Sequence, residues 1–263
     1  MALRLRRRRR RGGEAPAEGE AAGPAGRTLT VATYNIHTCV GVDRRYDPSR
    51  VARVLRELEA DVISLQEVDA RRRGERNIDQ WHFFQEETGY NAIPGVNVKD
   101  NRGRFGNAVL TRWPVRAVRL IDLSVPGCEP RSAIDLDIAV EDRLIRIVAT
   151  HFGLRGPERR TQTRRLLQAV EAHEGGEDGL IVMGDLNEWR GRRGGIPALD
   201  RELGRAPAPR TFPSWCPVLP LDRIYAGAPA VLERVEVHRS PLARVASDHL
   251  PLRARIRFEN GAA

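Results

Sequence analysis

The chain has few of the residues that build disulfide or thiolate sites. Its 263 residues include three cysteines. Cys39, Cys128 and Cys216 lie far apart and form no C-x-x-C pair. This spacing indicates neither a disulfide framework nor a thiolate zinc site, and a reducing compartment fits it best.

Long apolar runs and internal repeats are also missing. The sequence has no apolar stretch long enough to cross a membrane, and the basic start MALRLRRRRRR is not followed by the apolar segment of a signal peptide. We therefore expect a soluble, cytoplasmic protein. The absence of a visible repeat disfavours a solenoid or a propeller.

Lysine is nearly absent, since Lys99 is the only lysine among 44 basic residues. A GC-rich coding sequence explains this more simply than selection for phosphate contacts. The net charge of +9 suggests a polyanionic partner such as nucleic acid. However, residues 1–27 hold eight arginines and three glutamates, which account for +5 and leave only +4 for residues 28–263.

The composition divides the chain into a tail and one domain. Residues 1–27 contain little apolar surface and much Gly, Ala, Pro and charge, so burial cannot offset the entropy of ordering them. We predict a disordered Arg-rich tail that could hold nucleic acid or an anionic surface weakly, although a solvated charge run is the simpler interpretation. Residues 28–263 are predicted to form one monomeric domain.

Within residues 28–263, short β-branched runs alternate with amphipathic helical patterns. Asp47 is a predicted N-cap before Pro48, and apolar residues then recur on one helical face. The predicted helices are 47–60, 79–89 and 157–173, and the predicted strands are 29–35, 61–67, 106–112, 132–140, 144–151, 180–187, 221–227, 232–239 and 250–258. Many strands with few helices indicate two packed sheets with helices outside.

Polar side chains collect at the ends of these apolar runs. They are Asn35, Glu67, His151, Asp185 and Asn187, with Asp248 and His249 just before the last strand. Strand ends hold such groups on a fixed backbone. Asp185 and Asn187 are two residues apart in a predicted strand, so we expect both on the same side.

The chemistry of these residues indicates phosphoester hydrolysis. Carboxylate and amide oxygens suit a hard cation such as Mg²⁺ or Mn²⁺, which also binds phosphate oxygens. An Asp can orient and charge a neighbouring imidazole, and a second Asp can position or deprotonate a water. No serine or cysteine stands in a recognisable nucleophile elbow.

Seven motifs, in order over residues 33–252, resemble the endonuclease/exonuclease/phosphatase superfamily, which includes deoxyribonuclease I. They are TYNIH, LQEVD, GNAVLTR, ATHFGL, MGDLNEWR, LDRIY and SDHLPL. The resemblance implies an α+β fold, a four-layered α/β/β/α sandwich of two mixed sheets with the active site at one end. THFGLRGPERRTQ and RTFPSWCPVLPLDRIY are most similar to a bacterial branch of unsettled substrate, some members of which are encoded beside cardiolipin synthases.

The resemblance also implies a metal-binding set. Glu67 corresponds to the principal ligand, Asn35 orients that ligand and the phosphate, and Asp248 contributes to the metal shell directly or through water. Many nuclease members have an Asp two residues after the first Asn, where this chain has His37. A neutral imidazole there would weaken the negative cluster or contact substrate instead.

Catalytic roles follow from the same resemblance. Asp185 positions or activates the attacking water, and Asn187 donates to the phosphate oxygens. His249 contacts the scissile phosphate with its imidazole held by Asp222, and His151 serves as general acid or phosphate donor. Asn107 and Arg131 correspond to positions that line the substrate groove.

Three functions remain open from the sequence. The first is a Mg²⁺- or Mn²⁺-dependent phosphodiesterase or phosphatase acting on a lipid headgroup, a nucleotide or another small phosphoester. The second is a nuclease on DNA or RNA, and the third is an inactive scaffold. Retention of the whole motif set disfavours the scaffold. The charge of only +4 on residues 28–263 disfavours a duplex-gripping nuclease.

Overall fold

The computed structural model describes residues 28–71, 78–173, 176–190 and 194–258. The predicted tail, residues 1–27, lies outside this part of the chain. Within it the elements run β1 (Thr28–Asn35), η1, a 3₁₀ helix (His37–Cys39), α1 (Pro48–Glu57), β2 (Val62–Asp69), α2 (Gln80–Thr88), β3 (Asn91–Asp100), β4 (Gly103–Thr111), β5 (Val115–Asp122), β6 (Ser132–Val140), β7 (Arg143–His151), α3 (Gly156–Glu171), β8 (Gly179–Asp185), α4 (Ile196–Leu203), β9 (Asp222–Gly227), β10 (Ala230–Val237), α5 (Ala243–Ala246) and β11 (Leu252–Phe258).

The strands form two mixed sheets. The six-stranded sheet has the order β10-β11-β1-β2-β4-β3, and the five-stranded sheet has the order β5-β6-β7-β8-β9. Only the β1–β2 and β7–β8 pairs are parallel among the strand pairs of the described residues. The two sheets and their outer helices confirm the predicted four-layered α/β/β/α sandwich.

Strand alternation divides the apolar side chains between layers. In β1, Leu29 and Val31 pack into the core between the sheets, whereas Ala32 and Tyr34 pack against the helices outside. A strand buried on both faces reads as a continuous apolar run, which is why β1 could be predicted. Helices α1 and α2 cover the six-stranded sheet, and α3 and α4 cover the five-stranded sheet.

The start of α1 confirms the predicted Asp47 cap. The Asp47 carboxylate accepts the backbone N–H of Arg50 at 2.9 Å, with Pro48 in the first turn of α1. Asp79 caps α2 in the same way, and Gly89, with φ of 71°, ends it in the left-handed region that glycine tolerates best.

Five elements of the described residues were not predicted from the sequence: η1, β3, β5, α4 and α5. Strand β3 contains Pro94 and Gly95, which weaken a strand pattern, but its position at the edge of the sheet tolerates a proline. Strand β5 is also an edge strand. Edge strands bury less surface, so their apolar pattern is weaker.

The topology brings several strand ends to one edge of the sandwich. Parallel pairing places Asn35 of β1 opposite Gln66 of β2, and His151 of β7 opposite Asp185 of β8. Antiparallel pairing sets Asp222, the first residue of β9, opposite Asp185. Backbone pairing therefore joins His151, Asp185 and Asp222 within one sheet, and the packing of the two sheets brings Asn35 to Asp185.

No helix within the described ranges is long and apolar enough to cross a membrane.

Candidate active site

Asp185 ends strand β8 at the centre of the site. The preceding residue, Gly184, has φ of 154°, and a Cβ atom there would lie 1.9 Å from the carbonyl oxygen of Thr150 on β7. Glycine is therefore required both for this backbone conformation and for the close approach of the two strands.

The Asp185 carboxylate is buried among polar groups from three other segments. Asn35 donates its Nδ2–H to Oδ2 at 3.1 Å. The Nε2 atoms of His151 and His249 each lie 3.6 Å from the same oxygen. The backbone N–H of Asn187 donates to Oδ1 at 2.9 Å. Four predicted site residues thus converge on one carboxylate.

Asn187 reaches the site for a different reason from the one we predicted. Strand β8 ends at Asp185, so the expected strand alternation does not extend to Asn187. Asn187 instead has a left-handed backbone conformation, with φ of 49°. Its amide donates to the carbonyl of Phe152 at 2.9 Å and lies 3.2 Å from His151 Nε2.

A β-bulge presents Glu67. The pairing of β2 with β4 shifts register between Leu65 and Val68, and Glu67 has φ of 60°. Bulges re-aim side chains, and a non-glycine residue in this left-handed region stores strain that is common at functional sites. The Asn35 amide donates to Glu67 Oε1 at 3.0 Å, which fixes the carboxylate.

The Asn35 side chain holds both carboxylates with the same nitrogen. Its oxygen already accepts the backbone N–H of His37 at 3.0 Å. Asn35 therefore orients Glu67 and Asp185 in this geometry, and its oxygen has one lone pair engaged before any cation binds.

His249 and Asp222 form a buried pair beside Asp185. His249 Nδ1 lies 3.0 Å from Asp222 Oδ2, and the hydroxyl of Thr211 donates to the same oxygen at 2.5 Å. Burial disfavours a charged imidazole, but the carboxylates of Asp222 and Asp185 outweigh that effect and raise the pKa of His249 to about 10. His249 is therefore an imidazolium at neutral pH.

The pKa values of Asp185 and His151 are also shifted, the first upward and the second downward. Burial raises the pKa of Asp185 to about 6, against the opposing charge of His249. Burial, with the charges of Arg131 and His249, lowers the pKa of His151 well below its usual value. At neutral pH the site therefore holds a carboxylate near its titration point and a neutral imidazole.

These side chains open into a cavity of about 460 Å³. The predicted residues on its lining are Asn35, Glu67, Arg131, His151, Asp185, Asn187, Asp248 and His249. The lining drawn from the described residues omits Asp222, which lies behind His249, and also Asn107 and His37.

Substrate contact by Asn107 and His37 stays a prediction. The Asn107 amide reaches the carbonyl of Ser132 at 3.5 Å. His37 Nδ1 lies 2.9 Å from the carbonyl of Val40 and 4.0 Å from Asp248 Oδ1.

Sequence reasoning missed the apolar part of the lining, which includes Leu154, Trp189, Phe212 and Leu219. Their common feature is a place on the cavity wall, which a single sequence does not show. A larger groove of about 870 Å³ beside α3 and α4 contains none of the predicted site residues on its described lining.

The sequence of this chain matches the model of a known protein family. The model of the Endonuclease/Exonuclease/phosphatase family matches residues 32–249, a span that contains every strand-end group of the site. The chain belongs to this family.

One relative is similar to this chain over nearly its full length, and solved structures of lower identity share the fold. YbhP of Escherichia coli strain K12, which carries no assigned activity, is 32% identical over 253 residues, covering 87% of this chain and 96% of YbhP. The endonuclease/exonuclease/phosphatase of Beutenbergia cavernae is 22% identical with a TM-score of 0.71, covering 89% of this chain and 72% of that one. The human Nocturnin catalytic domain with bound sulfate is 21% identical with a TM-score of 0.66, covering 88% and 95%. These comparisons do not bear on cardiolipin synthases, so that association stays a prediction.

Family membership supports a phosphoester hydrolase or nuclease that uses a divalent metal. The side chains of this chain fit such a metal, because Glu67 and Asp248 supply hard carboxylate oxygens on the cavity wall. A second group, Asp185, Asp222 and His249, has candidate ligand atoms within 4.8 Å of one another. His249 Nδ1 and Asp222 Oδ2 of this second group already pair with each other at 3.0 Å.

Proposed function

We propose that the protein is a Mg²⁺- or Mn²⁺-dependent hydrolase of phosphoesters, a phosphodiesterase or phosphatase in which water attacks phosphorus. The observation that carries the proposal is the buried Asp185 carboxylate, 3.6 Å from the nitrogens of both His151 and His249 and open to the cavity. A carboxylate, an imidazolium and an amide around one space suit water attack on a phosphate.

Asp185 acts as the base in this proposal. A pKa of about 6 leaves the carboxylate ionised at neutral pH and still basic enough to accept a proton from water. Asn35 and the Asn187 backbone N–H hold its two oxygens, so the carboxylate is oriented before substrate binds.

Three side chains face the charge that develops on the phosphate. His249 supplies a positive charge that Asp222 holds in place. Asn187 would supply an amide donor by turning the N–H that faces His151 Nε2 toward the phosphate. His151 is neutral because its pKa is lowered, so we assign it the role of phosphate donor in preference to general acid. Donors fixed in advance at such positions typically contribute about two to three decades in rate each.

Glu67 and Asp248 would hold the cation. A bound Mg²⁺ or Mn²⁺ would neutralise charge on the phosphate oxygens. Asn35 keeps the Glu67 carboxylate in place through the 3.0 Å hydrogen bond to Oε1. The Ser247 hydroxyl donates to the Asn35 carbonyl at 2.7 Å and lies 3.3 Å from Asp248 Oδ1, and so it joins the two ligand-bearing segments.

A small phosphoester fits the site better than a nucleic acid duplex. A cavity of about 460 Å³ is within the usual range for small-molecule sites. The sulfate on Nocturnin is an anion of similar shape to phosphate, which supports anion binding in this fold. Lipid headgroups, nucleotides and other small esters all remain within this class.

Three further properties concern the oligomeric state, the location and the tail of the protein. We propose a monomeric, cytoplasmic enzyme whose Arg-rich tail contacts anionic surfaces through charge alone. Nucleic acid binding by the tail would then be independent of sequence.

A substrate screen with metal control tests the function. The purified protein should hydrolyse at least one member of a panel of phospholipids, nucleotides and nitrophenyl phosphoesters with Mg²⁺ or Mn²⁺. Activity should vanish in EDTA and return with either metal, because the proposed ligands are hard oxygens. Full turnover in chelator, or preferential cleavage of plasmid DNA, would contradict the proposal.

A further inference from the structure

Two apolar side chains at the mouth of the active-site cavity are left exposed. Leu154 is 72% exposed and Trp189 is 43% exposed. Both line the cavity that contains Asp185. Single exposed apolar residues are ordinary on protein surfaces. Two beside a reaction centre provide an apolar contact for whatever enters the cavity.

Leu154 and Trp189 follow the segments that carry the phosphate-facing groups. Leu154 comes three residues after His151, and Trp189 comes two residues after Asn187. His151 Nε2 lies 3.2 Å from Asn187 Nδ2, so the two segments meet there. The apolar pair therefore continues outward from the polar end of the cavity.

A buried ion pair holds both segments in place. Arg159 Nε and Nη2 each lie 3.1 Å from Glu188 Oε2, and Arg159 Nη1 donates to the carbonyl of Leu154 at 2.5 Å. The side chains of Arg159 and Glu188 are only 6% and 4% exposed. The Arg159 guanidinium also lies 5.6 Å from the centre of the Trp189 ring. The Leu154 backbone and the Trp189 ring are thus positioned before a ligand arrives, which lowers the entropy cost of binding.

We propose that Leu154 and Trp189 form a subsite for an apolar group carried by the phosphoester, either an alkyl chain or an aromatic ring. That the ligand also carries a phosphate group rests on the proposed function. Burying a ring or a short chain removes enough apolar surface from water to strengthen binding about tenfold over a methyl group.

Calorimetry with phosphonates tests the subsite without turnover. Phosphonates are not hydrolysed at phosphorus under these conditions, and each carries a single organic group. With Mg²⁺ and the full chain, the Kd of phenylphosphonate or hexylphosphonate should be at least about tenfold lower than that of methylphosphonate. A preference for phenyl indicates a flat aromatic substituent, and a preference for hexyl indicates an alkyl chain.

Two variants test whether the preference for the larger phosphonates depends on Leu154 and Trp189. The double change Leu154→Ala with Trp189→Ala should reduce the preference to less than about threefold while methylphosphonate binds as before. Trp215→Ala is the matched control, because Trp215 is 68% exposed but lies outside the cavity lining drawn from the described residues.

Equal affinity for all three phosphonates, binding of none of them, or a preference that survives the double change would overturn the subsite. Because the assay measures binding, absence of turnover with a retained preference would refute the proposed function and leave the subsite standing.

Discussion

His249 and Asp222 form a buried pair, with Nδ1 of the imidazole 3.0 Å from Oδ2 of the carboxylate. Their side chains are 6% and 0% exposed. Asp222 begins β9, whereas His249 precedes β11. Because the two carboxylates near His249 raise its pKa, this contact decides the charge that the site presents to a phosphate.

Asp222→Asn should lower kcat by about two to three decades, because an amide neither charges the imidazole nor fixes its orientation as a carboxylate does. Steady-state kinetics with Mg²⁺ measures the change. Asp200→Asn is the control, since Asp200 lies on α4 and accepts from the Tyr225 hydroxyl at 3.2 Å, away from the cavity. Equal kcat in both variants would remove Asp222 from the mechanism.

Gly184→Ala should destabilise the protein by more than about 2 kcal/mol, since the new Cβ would collide with the Thr150 carbonyl and the backbone conformation disfavours a side chain. Urea unfolding measures the free energy. Gly176→Ala is the matched control, because a Cβ there meets no atom of the described residues within 4 Å. A Gly184→Ala protein as stable as the control would refute the requirement for glycine.

A buried ion pair under α3 should make stability depend on pH. The side chains of Arg146 and Asp135 are 1% and 3% exposed, with Nη2 2.8 Å from Oδ2. Burial opposes ionisation of Asp135, but hydrogen bonds from Arg146 and Arg119 outweigh it and lower its pKa. Because the folded-state pKa lies below the unfolded value, this stabilisation is present above about pH 4 and is lost as pH falls through the folded-state pKa.

Asp135→Asn should therefore cost about 3–5 kcal/mol at neutral pH, since it leaves the buried Arg146 with Glu177, 3.5 Å from Nη1, as its remaining carboxylate partner. The melting temperature of the variant should also change less than that of the parent between about pH 4 and 2. Asp100→Asn, at an exposed pair with Arg102, should leave the melting temperature unchanged. A parent and variant with parallel melting curves across this pH range would contradict the linkage.

The polar residues at the strand ends could be predicted from the sequence, because an apolar strand followed by polar residues is a local pattern. Asn35, Asp185 and His249 could be assigned from that pattern together with the family resemblance, and the structure brings them together. The reason for the position of Asn187 could not be predicted, since its left-handed φ of 49° depends on contacts with Phe152 and His151.

Other features depend on distant contacts that a single sequence does not show. The bulge at Glu67 arises from pairing between β2 and β4. The Arg159–Glu188 pair joins residues 29 positions apart, and only the fold shows that both are buried. The exposure of Leu154 and Trp189 depends on how the rest of the chain packs around them.

Removal of residues 1–27 should leave the melting temperature unchanged, since a segment with little apolar surface has nothing to dock. Residues 28–263 carry a formal charge of only +4 once the +5 of the tail is removed from +9. Binding of the shortened chain to DNA should therefore be weak, with a shallow dependence on salt. Tight, steeply salt-dependent binding, with metal-dependent cleavage, would favour the nuclease alternative.

The most direct measurement of the central claim is kcat for Asp185→Asn with a hydrolysed phosphoester in saturating Mg²⁺. The variant keeps the shape of the side chain but removes the carboxylate that accepts the proton of water. We expect kcat to fall by about two to three decades, with circular dichroism and melting temperature close to those of the parent. A variant that retains more than about a third of the parent kcat, with chemistry rate-limiting, would contradict the account of Asp185 as the base.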